Sequence, residues 1–318
     1  MAKYLVTGAA GFIGSNICDH LISTGHTVVG IDNLSNGALI NISHLSSDSR
    51  FSFLEGDITS LEFCQAACKG VDIVLHQAAL GSVPRSMKFP ELYEQNNAAG
   101  TLNIFIAARD QNVKRVVYAS SSSVYGDTPV LPKVETMPTN PLSPYAVTKY
   151  SNELYGSVFF KAYGLETVGL RYFNIFGPRQ SPTSQYAAVI PKFIHAIQAY
   201  EPVTIHGDGL QTRDFTYVEN AIAANLAAAN APVAACGQAY NIGCGAQISL
   251  LDLVNQIATI LKTKPTLIHT ETRAGDIKDS LADIQKAKTM LGYFPQVNLS
   301  AGLEETIRWF QNLQTKAR

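Results

Sequence analysis

Two hydrophobic rhythms alternate along the first half of this chain. Short, nearly unbroken apolar runs occupy positions 3–7, 27–31, 51–54, 73–75, 115–119 and 167–172. Runs of this length predict strands, and their continuous apolar character predicts strands covered on both faces. Between them lie longer segments of helical period. Residues 12–23 carry apolar side chains at 12, 13, 17 and 21; residues 91–111 read as one long helix; and a third helix runs from Pro144 to about Tyr163. Proline at the start of that last helix sits where its missing N–H does no harm. Strand and helix in alternation, joined by right-handed crossovers, give an α/β fold built on a doubly wound parallel sheet.

After Asn174 the rhythm changes. Residues 177–184 are a loop of Gly, Pro, Ser and Gln, and glycines at 207, 209, 243 and 245 mark tight turns. The expectation is a dinucleotide-binding domain over 1–173 and a second, smaller mixed α/β domain over 174–318, with a soft, partly interleaved boundary. A chain of 318 residues, 46% hydrophobic, is long enough to bury both cores.

Charge and cysteine content narrow the function classes. Formal net charge is -1 with no run of like charges, so nothing marks a polyanion-binding surface, and nucleic acid is not an expected partner. Cysteines stand at 18, 64, 68, 236 and 244. Cys64 and Cys68 are one helical turn apart, but no His or further Cys lies near to complete a zinc site, so all five read as reduced, mostly buried thiols and no metal is expected. The first strand begins within three residues of Met1, which does not fit a signal peptide. No apolar stretch reaches the roughly 20 residues of a spanning helix. A soluble, cytoplasmic protein without a membrane partner is expected.

Gly8, Gly11 and Gly14 form a G-x-x-G-x-x-G turn between the first strand and the first helix. Such a turn lets a pyrophosphate approach the helix N-terminus, where free N–H groups and the helix dipole hold its charge. Asp32 ends the second strand, where a carboxylate binds both adenosine ribose hydroxyls and repels a 2'-phosphate. No Arg or Lys occurs between Lys3 and Arg50 to attract one, which favours NAD over NADP. Asp57 follows the third strand in position to meet the adenine amino group. Ala78 and Ala79 after the fourth strand leave room for the cofactor backbone.

Tyr145 and Lys149 are four residues apart on the third helix and so share a face. A neighbouring ammonium and the positive nicotinamide ring both favour the phenolate, which makes the tyrosine a candidate base near neutral pH. The fifth strand ends in Ser120-Ser121-Ser122-Ser123-Val124-Tyr125-Gly126, and a serine hydroxyl there can bridge a substrate hydroxyl and the tyrosine oxygen.

With these motifs in order and spacing, the whole chain resembles the extended short-chain dehydrogenase/reductase family, a Rossmann fold, and within it the UDP-hexose 4-epimerases. The segment 77–86, Gln-Ala-Ala-Leu-Gly-Ser-Val-Pro-Arg-Ser, is similar to the bacterial branch that prefers N-acetylated substrates and serves surface-polysaccharide synthesis. The resemblance implies bound NAD, a UDP-sugar substrate and a homodimer through a four-helix bundle of the two long helices. It implies Ser121, Tyr145 and Lys149 as catalytic, with Lys149 also on the nicotinamide ribose. Phe12, Ile13, Asn33, Ile58, Asn97 and Tyr172 join the cofactor site by the same resemblance. It places Asn174 and Arg213 on the UDP pyrophosphate, Arg273 and Asp276 on the phosphate and uridine ribose, and Gly81, Ser82 and Ser123 on the sugar. Ala188 and Val189 also fall to the substrate. Ser280 matches a position where epimerases restricted to UDP-glucose and UDP-galactose carry a bulky tyrosine. Nucleotide-sugar 4,6-dehydratases resemble this chain but carry Asp-Glu at Ser122 and Ser123, and decarboxylases want a Glu at Ser123. An NAD sensor on the same fold would tend to lose the tyrosine, which is intact as Tyr145. UDP-glucose/UDP-galactose and UDP-uronic acid epimerisation stay open as alternatives.

Overall fold

The computed structural model describes residues 1–182, 188–271 and 278–316. Its centre is a seven-stranded sheet made of β1 (Lys3–Thr7), β2 (Thr27–Asp32), β3 (Phe51–Glu55), β4 (Ile73–His76), β5 (Arg115–Ser121), β6 (Glu166–Tyr172) and β11 (Gln238–Ile242), in the order β3-β2-β1-β4-β5-β6-β11. Every pairing is parallel. The order reverses at β1/β4, so their C-terminal ends open a crevice, the usual ligand site of such sheets.

Helices cover both faces. On one, α1 (Phe12–Ser23), α8 (Val218–Asn230) and α10 (Gln285–Leu291) bury Ile17, Leu21, Ala224, Ala228 and Leu291 against Val6, Leu75, Val117 and Leu170. On the other, α2 (Leu61–Cys68), α5 (Gly100–Asp110) and α6 (Pro144–Tyr163) bury Cys64, Phe105 and Phe159 against Leu5, Val74, Val116 and Tyr118. Alternate strand residues serve opposite layers, which is why these strands read as unbroken apolar runs. All five cysteines are free thiols, and all but Cys244 are buried.

The segment expected as one helix over 91–111 follows α3 (Val83–Lys88) and comprises α4 (Pro90–Tyr93), a π-helical stretch at Glu94–Ala99, and α5. Its wide turn carries Asn97, and π-turns of this kind gather at functional sites. Sequence periodicity does not resolve one inserted residue within a helix.

The remaining strands are short: β7 (Ile175–Phe176) pairs with β10 (Thr216–Tyr217), β8 (Val203–His206) with β13 (Leu267–Thr270), and β9 (Thr212–Arg213) with β12 (Ile248–Ser249). They pack with α7 (Val189–Gln198), α9 (Leu250–Leu261) and α11 (Leu299–Lys316) around a separate core that includes Phe193, Ile194, Leu253, Ile257 and Leu303. Asp214, fully buried, ties this part together. Its carboxylate accepts N–H bonds from Cys244 at 2.9 Å, Gly245 at 3.0 Å and Ala282 at 3.2 Å. Burial pushes its carboxyl up to about 6 against the pull of those N–H groups. An asparagine amide has one acceptor where the carboxylate has two, and its NH2 would face donors. Asp214→Asn should therefore lower unfolding stability by about 1–3 kcal/mol, read from the denaturant midpoint at neutral pH.

Candidate active site

The crevice at the C-terminal ends of β1, β2, β4 and β5 is a cavity of about 440 Å³. Its wall near α1 is the glycine turn. Gly8 has φ +67, and a Cβ added at Gly14 would fall 2.1 Å from the Gly8 carbonyl oxygen. Backbone there approaches backbone more closely than any side chain permits, leaving the first-turn N–H groups of α1 facing the cavity. Gly8, Gly11, Phe12, Ile13, Gly14, Asp32, Asn33, Ile58, Ala78 and Ala79 all line it, as expected from the sequence, and so do Gly81, Ser82 and Ala188 from the substrate set. Asp32 Oδ2 accepts from Ala10 N at 3.0 Å and Oδ1 from Leu34 N at 2.8 Å. Burial raises its carboxyl above the ordinary value, and these N–H bonds draw it back. This donor set fits a dinucleotide: close backbone for the pyrophosphate and a carboxylate for the ribose. Asp57 does not line the cavity. It accepts from Asn33 Nδ2 at 2.7 Å and Thr59 N at 2.8 Å, so it orients Asn33, which does.

Local sequence sets where Tyr145 points. Ser143 caps α6, its Oγ accepting from Ala146 N at 3.2 Å; Pro144 opens the helix, and Gly164 closes it in the left-handed conformation. Tyr145 is thereby in the first turn and Lys149 one turn later, both on the cavity wall. Lys149 Nζ donates to the Ala119 carbonyl at 2.7 Å and lies 5.9 Å from the Tyr145 ring centre. Burial pushes the lysine down to about 8. Burial also raises the Tyr145 phenol, a hydrogen bond with Ser121 draws it back, and Tyr93 pushes it up. The ammonium is held by the end of β5, and burial is the largest influence on both residues. Ser121 Oγ accepts from Ser123 N at 3.2 Å and Ser123 Oγ at 2.9 Å, so its own proton is directed elsewhere.

A buried polar chain runs behind the cavity. Thr7 Oγ1 accepts from Gln77 N at 3.1 Å and Ala78 N at 3.0 Å. Its hydrogen is therefore the one shared with His76 Nδ1 at 2.7 Å. That assigns His76 as the Nε2–H tautomer, donating to Thr101 Oγ1 at 2.9 Å, which donates to the Asn97 carbonyl at 2.6 Å. Burial, with Lys149 adding, holds His76 neutral by pushing it down to about 3. Asn97, fully buried, takes Leu80 N on Oδ1 at 2.8 Å and donates to Leu80 O at 3.0 Å and Thr148 Oγ1 at 3.3 Å. It acts on the cavity by fixing the backbone of the 80–82 loop. Tyr172 likewise stands back, donating to Gln77 Oε1 at 3.1 Å, and Gln77 lines the cavity.

The remaining substrate positions lie toward the smaller core. Asn174, at φ +38, donates to the Asp214 carbonyl at 2.9 Å. Arg213 Nη1 donates to Thr212 O at 2.8 Å and Lys278 O at 2.9 Å. Ser280 is 5% exposed, and its N–H donates to Thr212 O at 3.1 Å, which sets it beside Arg213. Val189 opens α7. Arg273 and Asp276 lie outside the described residues. Sequence reasoning missed Tyr93, Arg85 and Arg179, all on the cavity wall. Arg85 adds a cation to the wall that also carries Asp32 and Asn36. It arrives from α3, its Nη1 3.5 Å from Asn36 Oδ1, so a scan confined to the residues between Lys3 and Arg50 does not see it.

Comparison with known proteins agrees with this geometry. The profile of the NAD dependent epimerase/dehydratase family matches residues 4–243. A UDP-glucose 4-epimerase of Mycolicibacterium smegmatis is 36% identical over 98% of this chain and 99% of its own length. Among solved structures, the UDP-N-acetylglucosamine 4-epimerase of Methanobrevibacter ruminantium M1, in complex with UDP-N-acetylmuramic acid, is 40% identical with a TM-score of 0.93, covering 98% of this chain and 99% of that one. The UDP-glucuronic acid 4-epimerase of Bacillus cereus, in complex with UDP-glucuronic acid and NAD, is 36% identical with a TM-score of 0.89 over 98% and 99%. The chain belongs to the NAD dependent epimerase/dehydratase family, of the extended short-chain dehydrogenase/reductase type, and its cofactor is NAD.

Proposed function

We propose that this protein interconverts UDP-N-acetylglucosamine and UDP-N-acetylgalactosamine at C4 through a 4-keto intermediate, in the cytoplasm and for surface-polysaccharide synthesis. The observation that carries the epimerase reading is that Tyr145 and Lys149, one turn apart on α6, share the wall of the dinucleotide cavity with the serine end of β5 at Ala119 and Ser120. In this reading residues 1–173 carry most of the cofactor site and 174–318 most of the UDP-sugar site, across a soft, partly interleaved boundary, since α8, α10 and β11 belong to the first sheet and its layers. Tyr145 Oη takes the proton of the sugar 4-hydroxyl, and Ser121, its acceptor sites filled by Ser123, aligns that hydroxyl. NAD, when bound, would supply a reversible hydride acceptor for C4. Lys149 stabilises the phenolate and holds the nicotinamide ribose. Gly81, Ser82 and Ser123 meet the sugar, Asn174 and Arg213 the diphosphate, with Arg273 and Asp276 completing that end. Ser122 and Ser123 lack the acid/base pair of a dehydratase, which favours a reaction without elimination.

Inversion requires the keto sugar to present both faces to one cofactor, so its C2 substituent must fit the pocket in two orientations. The small Ser280, buried beside Arg213, supports the N-acetyl preference, since a tyrosine at that position would exclude an acetamido group. The 40% identical neighbour named for UDP-N-acetylglucosamine points the same way.

A second proposal concerns assembly. Val147, Leu154 and Val158 expose about half of their surface in one stripe along α6, beside Met87 and Leu142. Pairing of α6 and the 90–110 helical segment with their copies about a two-fold axis would bury this stripe in a four-helix bundle.

Four measurements test these readings. Purified protein incubated with UDP-N-acetylglucosamine and no added NAD should yield UDP-N-acetylgalactosamine by proton NMR, and Ser280→Tyr should abolish that conversion while keeping UDP-glucose/UDP-galactose conversion. An unchanged substrate preference would remove Ser280 as the gate. Tyr145→Phe should lower kcat about 100- to 10,000-fold with little change in UDP-sugar affinity, and near-normal turnover would exclude it as the base. Lys149 tests the burial argument through stability. Its folded value of about 8 lies below its ordinary 10.5, so its burial opposes folding fully below pH 8, less as pH rises, and not above 10.5. Lys149→Met in cofactor-stripped protein should therefore raise Tm by about 2–5 °C at pH 7, the gain vanishing toward alkaline pH. Leu154→Glu with Val158→Glu should shift the light-scattering mass from twice the chain mass to once, and an unchanged mass would place the interface elsewhere.

A further inference from the structure

Arg179 stands in the loop after β7, far from the glycine turn in sequence, yet it lines the cavity together with Gly11, Phe12 and Ile13. Its backbone is at φ +72, a left-handed conformation that non-glycine residues adopt rarely and that concentrates at functional sites. Helix α1 grips this loop twice. Asn16 Nδ2 donates to the Pro178 carbonyl at 3.2 Å, and Asp19 Oδ2 accepts from Arg179 Nη2 at 2.6 Å. The other terminal nitrogen, Nη1, is shielded from solvent and finds no hydrogen-bond partner among the described residues. A charged donor fixed on one side and unsatisfied on the other is unfavourable unless an acceptor meets it.

We propose that Arg179 is a ligand of the dinucleotide pyrophosphate. The N-terminus of α1 offers that group only partial positive charge, and the other cations of the cavity wall are engaged elsewhere, Arg85 beside Asn36 and Lys149 on the Ala119 carbonyl. Arg179 brings the missing charge from the other half of the chain. Asp19 is the more exposed partner of the ion pair, at 33% against 17% for the arginine side chain, so solvent screens the carboxylate while the guanidinium faces the cavity. The same carboxylate also takes His44 Nε2 at 2.7 Å on Oδ1, which fixes the orientation of the fork. An epimerase returns its hydride within each turnover and gains nothing by releasing the cofactor. A full charge on the pyrophosphate, anchored to the very helix that binds it, serves retention. The reading depends on the NAD site and not on which UDP-sugar is used.

The UDP diphosphate is the other source of the same chemistry, and the test separates the two. Wild type, Arg179→Met and Arg179→Lys are purified as full chains, stripped of cofactor, and titrated calorimetrically with NAD, adenosine and UDP. NAD released by acid from freshly purified protein is quantified by chromatography in parallel. Arg179→Met should weaken NAD binding about 10- to 100-fold, the loss expected for one hydrogen bond to a charged group, and should purify with less NAD. Adenosine and UDP should bind as to wild type, and Arg179→Lys should recover part of the NAD affinity. Equal NAD affinity in Arg179→Met overturns the assignment. So does an equal loss of NAD and adenosine, which would make Arg179 a prop for the loop, and so does loss of UDP alone, which would give it to the substrate.

Discussion

An ammonium buried without a counter-ion is unfavourable, and the interior of this fold is arranged around one, Lys149, with which no carboxylate among the described residues pairs. Lys149 is 4% exposed, and burial is the only influence pressing on its proton. A carboxylate does stand one turn along the same face of α6, at Glu153. It is claimed from below: Arg171 reaches it with Nε at 2.8 Å and Nη2 at 2.6 Å, and Ser120 Oγ donates to it at 2.5 Å. The fork of a guanidinium matches a carboxylate better than the point charge of an ammonium does. Arg171 thus keeps Glu153 from pairing with Lys149, and the lysine remains available to the cavity. Arg171 in turn lies against the Tyr125 ring, 4.7 Å from its centre. The serine strand-end, the catalytic helix and β6 are therefore one electrostatic unit.

The chain through Thr7, His76, Thr101 and Asn97 does for the cofactor side what Arg171 does for the lysine. Thr7 has both lone pairs and its hydrogen committed, Thr101 accepts from His76 and donates to the Asn97 carbonyl, and the neutral histidine fixes the direction of donation. Such a network holds backbone at Gln77, Ala78 and Leu80 to a single arrangement, because any member turned the wrong way leaves a buried donor unsatisfied. The alanines of the 78–80 loop can be small because their placement is set from behind.

Much of this was legible because it is written locally. Ser143, Pro144 and Gly164 announce the ends of α6, and the i, i+4 spacing of Tyr145 and Lys149 does the rest. The glycine turn and Asp32 are likewise read from neighbours in sequence. What escaped depends on contacts between distant segments. Arg179 meets Asp19 across a separation of 160 residues. Tyr93 lines the cavity from the last position of α4, just before the π-helical stretch, and a helical pattern does not register that break. The burial that raises the Tyr145 phenol is supplied by the fold and is not written in the residues beside it.

The seventh strand of the sheet has a consequence for synthesis. β6 exposes its second hydrogen-bonding edge until β11 arrives, and the register Val168↔Gln238 to Tyr172↔Ile242 joins segments made at different times. A ribosome releases the chain from its N-terminus at about 5–20 residues per second. The 70 residues between Tyr172 and Ile242 (242 − 172 = 70) then take on the order of several seconds to emerge. Through that interval the nascent sheet carries an open edge bearing Val168, Leu170 and Tyr172, the kind of surface that templates aggregation or recruits a chaperone. The nucleotide-binding half cannot be completed ahead of the rest, so the protein reaches its native state nearly as a whole chain.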